Sequence, residues 1–170
     1  MKEAVFETIV NDFRQRIYRI CCYYARNDED RKDLLQEVLI SIWKSLATFR
    51  GEAALGTWVY RVTLNTAISY TQKELRRQQR YLMDGPDQAD LLITGTDDEQ
   101  QAELEEMLEE LYSELNQLPV IDRTIMTLYL ERLPSREIAR IVGITEPNVR
   151  TKIHRICSKL SINMKGLQNE

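Results

Sequence analysis

The sequence predicts an all-α protein of two small helical domains joined by a flexible acidic linker. Apolar residues recur at helical spacing in both halves, and no alternating strand pattern appears in the N-terminal half. The chain has only six glycines and four prolines in 170 residues, few for a fold built on turns. A polar stretch with turn formers, Asp84-Gly-Pro-Asp-Gln-Ala-Asp and later Thr94-Gly-Thr-Asp-Asp-Glu, divides it. The expected parts are an N-terminal domain over 1–80, a linker over 81–102 and a C-terminal domain over 103–170.

The first helix is expected from Lys2 to about Arg26, on Phe6, Ile9, Val10, Phe13, Ile17 and Ile20. Asn27-Asp28-Glu29-Asp30 then supplies capping residues for a second helix running to about Ala47. Its apolar set is Leu34, Leu35, Val38, Leu39, Ile42, Trp43 and Leu46, which leaves Asp33, Gln36 and Glu37 outside. Phe49-Arg50-Gly51-Glu52 ends that element.

A third helix begins near Leu55 and runs past Arg76. At ~100° per residue, Arg61, Asn65, Ser69, Gln72 and Arg76 share an arc of about 80°. Val59, Thr63, Thr66, Ala67 and Tyr70 fall opposite, so one face is polar and basic while the other packs. Trp58 is read as a core anchor.

Beyond the linker, Leu104, Met107, Leu108, Leu111, Leu115 and Leu118 mark a fourth helix. Pro119 suits the first turn of a fifth, which is expected to bury Ile121, Ile125, Leu128 and Tyr129. Two short helices follow, Ser135 to Val142 and Glu146 to about Ser161.

That last pair has the spacing of a helix-turn-helix. Ala139 is small enough for close helix approach, and Gly143 permits the positive φ needed where the first helix ends. Ile138, Val142, Ile144 and Val149 fill the wedge between the helices, and Thr145 is placed to cap the second. Asn148, Thr151, Lys152, Arg155 and Lys159 point outward from the last helix, with Arg150 on its flank. Such a surface suits a major groove, where Arg forks onto guanine and Lys or Thr holds phosphate.

The net charge of −4 hides a partition. From Tyr81 to Asp122 there are thirteen acidic residues and no Lys or Arg. Arg61 to Arg80 carries five basic residues against one Glu, and Arg132 to Glu170 carries eight against three acids. Two basic segments therefore flank an acidic one, and affinity for phosphate follows such local patches.

Other chemistry is thinly represented. There is no Gly-rich phosphate loop and no nucleophile beside a base, so no enzyme is expected. Cys21 and Cys22 read as small core residues. His154-x-x-Cys157 lacks a second ligand pair at zinc spacing, so neither metal nor cofactor is expected. No apolar run approaches the ~20 residues of a membrane span. Met1 to Val10 mixes Lys2, Glu3 and Glu7 among its apolar residues and is not a signal peptide. The expectation is a cytoplasmic protein without membrane insertion.

Several stretches resemble a known family. Asp33-Leu-Leu-Gln-Glu-Val-Leu-Ile-Ser-Ile-Trp, Phe49-Arg-Gly-Glu and Thr57-Trp-Val-Tyr-Arg-Val-Thr-Leu-Asn-Thr-Ala resemble the second region of extracytoplasmic-function sigma factors of bacterial RNA polymerase. Leu118-Pro119, Glu137-Ile-Ala, Gly143-Ile and Val149-Arg-Thr-Lys-Ile-His-Arg resemble their fourth region. The two matches cover nearly all of the chain apart from the linker.

The resemblance implies a region 2 helical bundle before the linker and a region 4 helix-turn-helix after it. It implies that Asp33, Gln36 and Glu37 dock on the β′ coiled coil of core polymerase, with the β flap as a further contact. Phe49, Arg50, Gly51, Leu55, Arg61, Asn65, Ser69 and Arg76 would meet the minus-10 element, Asn65 and the loop Phe49 to Leu55 accepting a flipped base. Asn148, Arg150, Thr151, Lys152 and Arg155 would bind the minus-35 element. An anti-sigma factor is implied as a partner.

The chain departs from the family in places. Ser69 stands where an acidic residue is common, Lys152 where Arg is usual, and Pro134 at the usual capping position, which leaves Ser135 to cap. These bear on the promoter sequence more than on the class. Two alternatives remain from the residues: a stand-alone helix-turn-helix regulator binding operator DNA as a dimer, and a helical adaptor binding only proteins.

Overall fold

The computed structural model describes residues 2–25, 27–84 and 99–167, with side chains over 2–25, 27–77 and 106–160. Every regular element among them is helical: α1 (Lys2–Tyr24), α2 (Asp28–Ser45), a single 3-10 turn (Leu46–Thr48), α3 (Leu55–Asp84), α4 (Glu99–Gln117), α5 (Val120–Leu130), α6 (Ser135–Val142) and α7 (Glu146–Leu167). Helix therefore enters the expected linker from both ends, at 81–84 and 99–102. Residues 85–98 lie outside the described residues, as does Arg26, where the first helix was expected to end.

The N-terminal helices form where their apolar stripes meet. Ile9, Ile17, Ile20 and Cys21 of α1 pack with Leu34, Val38 and Ile42 of α2 and Val59, Leu64 and Ala67 of α3. Fully burying each such aliphatic side chain stabilises by ~1.5–3 kcal/mol. Asn27 starts α2 as expected: its side-chain oxygen accepts the Asp30 N–H at 2.8 Å, satisfying a donor that has no helical partner. Burial holds the Cys21 thiol at a pKa of about 12, consistent with an inert core cysteine.

In the C-terminal half, α5 is the central helix, packed against α6 and α7. Two expectations fail there. Ile121 and Tyr129 are exposed, while every residue from Asp122 to Leu128 is buried, polar ones included. The helix is enclosed by α4, α6 and α7 rather than presenting one apolar stripe, and Tyr24 of α1 also reaches it. The Tyr24 and Thr124 hydroxyls lie 3.2 Å apart, and the Arg123 guanidinium lies over the Tyr24 ring.

Cap details differ as well. Pro119 is the residue before α5, one position ahead of the first turn. Ser135 does not cap α6; Pro134 precedes the helix, and its carbonyl accepts the Glu137 and Ile138 N–H groups at 2.8 and 3.1 Å.

The two halves are packed together. Ile125, Leu128, Leu133, Ile138 and Val149 join the same apolar cluster as the helices of the first domain. Polar contacts frame the seam: Arg19 pairs with Glu131, and Arg31 pairs with Glu109 while lying over the Tyr112 ring. A second cluster, Leu115, Leu118, Met126, Ile156 and Leu160, ties α4 and α5 to α7.

Candidate nucleic-acid interface

The polar face of α3 forms as the spacing predicts. Arg61, Asn65, Ser69, Gln72 and Arg76 are all exposed, and Val59, Thr63 and Ala67 are buried behind them. The loop before α3 is tied to it, since the Phe49 ring packs on the Trp58 ring with centroids 4.9 Å apart. Trp58 itself is part-buried against the core, as expected of an anchor. Gly51 has φ +73°, a backbone conformation that favours glycine, and Arg50 beside it is exposed. Leu55 is half-buried at the first turn of α3.

One member of this face is engaged by the other domain. The Arg61 guanidinium donates to the carbonyl of Arg140 near the end of α6, where the last carbonyls of a helix lack helical partners. The first helix of the helix-turn-helix thus lies against α3.

The helix-turn-helix geometry is the expected one. Gly143 ends α6 at φ +81°, and its N–H and that of Ile144 both donate to the Ala139 carbonyl, at 2.9 and 3.2 Å. Ile138 and Val149 are fully buried in the wedge, with Val142 and Ile144 packed around them. On α7, Asn148, Arg150, Thr151, His154 and Arg155 are exposed. Arg150 pairs with Glu146 one turn back, and the Thr151 hydroxyl donates to the Pro147 carbonyl at 3.0 Å.

Lys152 does not point outward. Its side chain turns toward α5, where Nζ lies 2.7 Å from Oδ1 of Asp122, while an Arg155 terminal nitrogen lies 3.1 Å from Oδ2. Sequence reasoning missed Asp122. The available signal was its position in the i, i+3, i+4 series of Leu118, Ile125 and Met126, a carboxylate inside an apolar stripe.

On α2, Asp33 and Gln36 are exposed and Glu37 is half-buried. Ile40, one turn further along that face, is also exposed and was not anticipated. Tyr70 of α3 sits behind this surface; its hydroxyl donates to Asp30 at 3.3 Å, and burial followed by that carboxylate pushes its pKa well up. Among the described residues no cluster of three or more His, Cys, Asp or Glu could hold a metal ion. No described helix is long and apolar enough to cross a membrane.

Two helical units, one with a polar helix face behind an anchored loop and one with a helix-turn-helix, define the class. Residues 9–91 match the Sigma-70 region 2 family, and residues 108–160 match Sigma-70, region 4. The ECF RNA polymerase sigma-E factor of Haemophilus influenzae is 30% identical over 160 residues, covering 90% of this chain and 84% of that protein. RNA polymerase sigma factor SigV of Bacillus subtilis is 27% identical over 163 residues, covering 95% and 92%. The chain belongs to the extracytoplasmic-function sigma factors, which direct RNA polymerase in promoter recognition and transcription initiation and are not enzymes.

Solved structures agree on the fold. CnrH in complex with the cytosolic domain of CnrY superposes with a TM-score of 0.70 at 18% identity, covering 96% of this chain and 90% of CnrH. The sigma factor RpoE in complex with the anti-sigma factor NepR from Bartonella quintana gives a TM-score of 0.67 at 18% identity, covering 94% and 96%. Finding both regions in one chain, in this order, replaces the stand-alone regulator and the protein-only adaptor as readings.

Proposed function

We propose that the two domains divide promoter recognition between them. Arg61, Asn65, Ser69 and Arg76 of α3, with Phe49, Arg50, Gly51 and Leu55 of the preceding loop, serve the minus-10 element. Asn148, Arg150, Thr151 and Arg155 serve the minus-35 element, with Lys152 turned in behind them toward Asp122. The observation that carries this is the pair of exposed, polar and cationic helix faces, one on α3 and one on α7, each backed by its own apolar residues. Cations hold the phosphates, and amide and guanidinium groups read base edges.

Asp33, Gln36 and Glu37 offer core polymerase an acidic docking face on α2, and Ile40 adds an apolar contact to it. We assign this face to the β′ coiled coil and the C-terminal domain to the β flap, in the cytoplasm. An anti-sigma factor is a fitting partner, since the two structural neighbours were solved as the CnrH–CnrY and RpoE–NepR complexes and the latter partner is named an anti-sigma factor.

The packed arrangement cannot serve both elements at once. They lie about 25 base pairs apart, roughly 85 Å at ~3.4 Å per pair. With α6 against α3 and α4 against α1, the two reading faces stay within one small body. The domains therefore separate on polymerase, and the weak grip of each is combined through the tether.

A matrix of variants and promoters tests the assignment. Substitutions on α3 should lose sensitivity to changes in the minus-10 element, and substitutions on α7 to changes in the minus-35 element. Indifference of both sets to both elements would refute it.

A further inference from the structure

Asp122 is a buried carboxylate on α5 whose two oxygens are each taken by a different cation of α7. Lys152 Nζ holds Oδ1 at 2.7 Å and Arg155 Nη2 holds Oδ2 at 3.1 Å. The side chain of Asp122 is 10% exposed, that of Lys152 25% and that of Arg155 66%. The two cations are thus unlike. Lys152 is turned in and has its charge met by Asp122. Arg155 gives one terminal nitrogen to Asp122 and leaves the rest of its five-donor fork toward solvent.

A carboxylate is a costly choice for this position. Removing it from water is unfavourable, and replacing such a charged set as a whole by apolar residues is often neutral or stabilising. What the charge supplies is direction. A long side chain such as Arg155 loses rotamer freedom when it meets DNA, and a side chain already held at one nitrogen loses less. The carboxylate also sets local charge: Lys152, Arg155 and Asp122 together carry one net positive charge where two would otherwise stand.

We propose that Asp122 is a positioning residue for minus-35 recognition, holding Lys152 and Arg155 so that Arg155 meets the groove in one orientation while the field that attracts any DNA is reduced. The proposal rests on the assignment of α7 to the minus-35 element. Asp122 acts through Arg155 and touches no nucleotide itself. Lys152 serves as the inner anchor of the clasp, which accounts for its burial where an outward phosphate contact was expected.

The test uses full-length protein in holoenzyme with core polymerase. The probe is a promoter selected by the wild-type holoenzyme from a library randomised at the minus-35 element, compared with the same DNA scrambled there. Asp122→Asn should reduce the preference for the selected element about tenfold, the scale of one bidentate base contact. It should also steepen the dependence of log affinity on log salt by about 0.9, as one more charge becomes available to phosphate.

The double variant Asp122→Asn, Lys152→Gln restores the net charge without restoring the clasp, and leaves no half-buried lysine unpaired. Its salt dependence should return to the wild-type slope while the preference stays lost. An unchanged preference in Asp122→Asn, or a recovered one in the double variant, would overturn the positioning role. Arg155→Ala is the separate arm. If it keeps full preference for the selected element, the positioning role falls, because Asp122 acts through Arg155; if Asn148→Ala and Arg150→Ala keep it too, the assignment of α7 itself falls.

Discussion

Arg19 and Glu131 form a two-point ion pair across the domain boundary, with the two arginine nitrogens 2.8 and 2.7 Å from the two carboxylate oxygens. The partners are unequal, since the Glu131 side chain is 1% exposed and that of Arg19 is 50%. Arg19→Ala therefore leaves a buried charge without its partner, whereas Glu131→Gln removes the charge and keeps the shape. We expect Arg19→Ala to destabilise the packed form by about 1–3 kcal/mol and Glu131→Gln by clearly less. Denaturant titrations of both variants check this, and equal losses would contradict it.

Arg132 follows Glu131 with φ +61°, the one non-glycine residue in the left-handed region among those described. The turn holds it there, because its N–H donates to the Tyr129 carbonyl and that of Leu133 to Leu128. The conformation costs roughly 1–2 kcal/mol for a residue with a Cβ. Part of any gain from glycine is offset by its greater freedom when unfolded. Arg132→Gly should raise stability by about 0.5–1 kcal/mol and Arg132→Ala should not; thermal melting of the pair decides.

The elements were legible in the sequence because most helices keep one wet side. The stripes of α2 and α3, the Gly143 stop and the Ala139 approach were all readable from spacing, and the polar arc from Arg61 to Arg76 came out exposed. The seam between the domains was not. Seven successive buried residues in α5 include Asp122, Arg123, Thr124 and Thr127, whose polarity argues for exposure until their partners are known. Asp122 lies 30 residues before Lys152, Thr124 lies 100 after Tyr24, and Glu131 lies 112 after Arg19. Helical periodicity reports which side of a helix is covered but not by what. For that reason periodicity places Lys152 outward and Ile121 inward, against the structure.

Alkaline pH should unfold the protein earlier than its helices alone would suggest. Burial pushes the Cys21 thiol and the Tyr23 hydroxyl up to about 12, and raises Tyr24, Tyr60, Tyr70 and Tyr112 as well. In the unfolded chain the thiol ionises near ~8.5 and the phenols near ~10. Above those values the unfolded state has released protons that the folded state still holds, so stability falls as pH rises. These groups should leave the melting temperature level up to about pH 8 and lower it progressively from about pH 9 to 12. A melting temperature flat across that window would contradict their burial.

Asn65 lies on the exposed face of α3, away from the buried row of Val59, Thr63 and Ala67. Truncating it should change stability by less than about 0.5 kcal/mol. Asn65→Ala should reduce promoter opening, read by permanganate reactivity of the melted strand, about tenfold or more while core binding stays within twofold. Parallel loss of both would make Asn65 a structural residue.

The most direct measurement adds the purified chain to purified core RNA polymerase on a pool of bacterial promoter fragments and maps the 5′ ends of the transcripts. The account predicts that core polymerase, which alone starts without preference, gains discrete start sites downstream of two recurring sequence elements. Transcripts that stay unfocused when the chain is present, with the chain shown to be folded and bound to core, would contradict it.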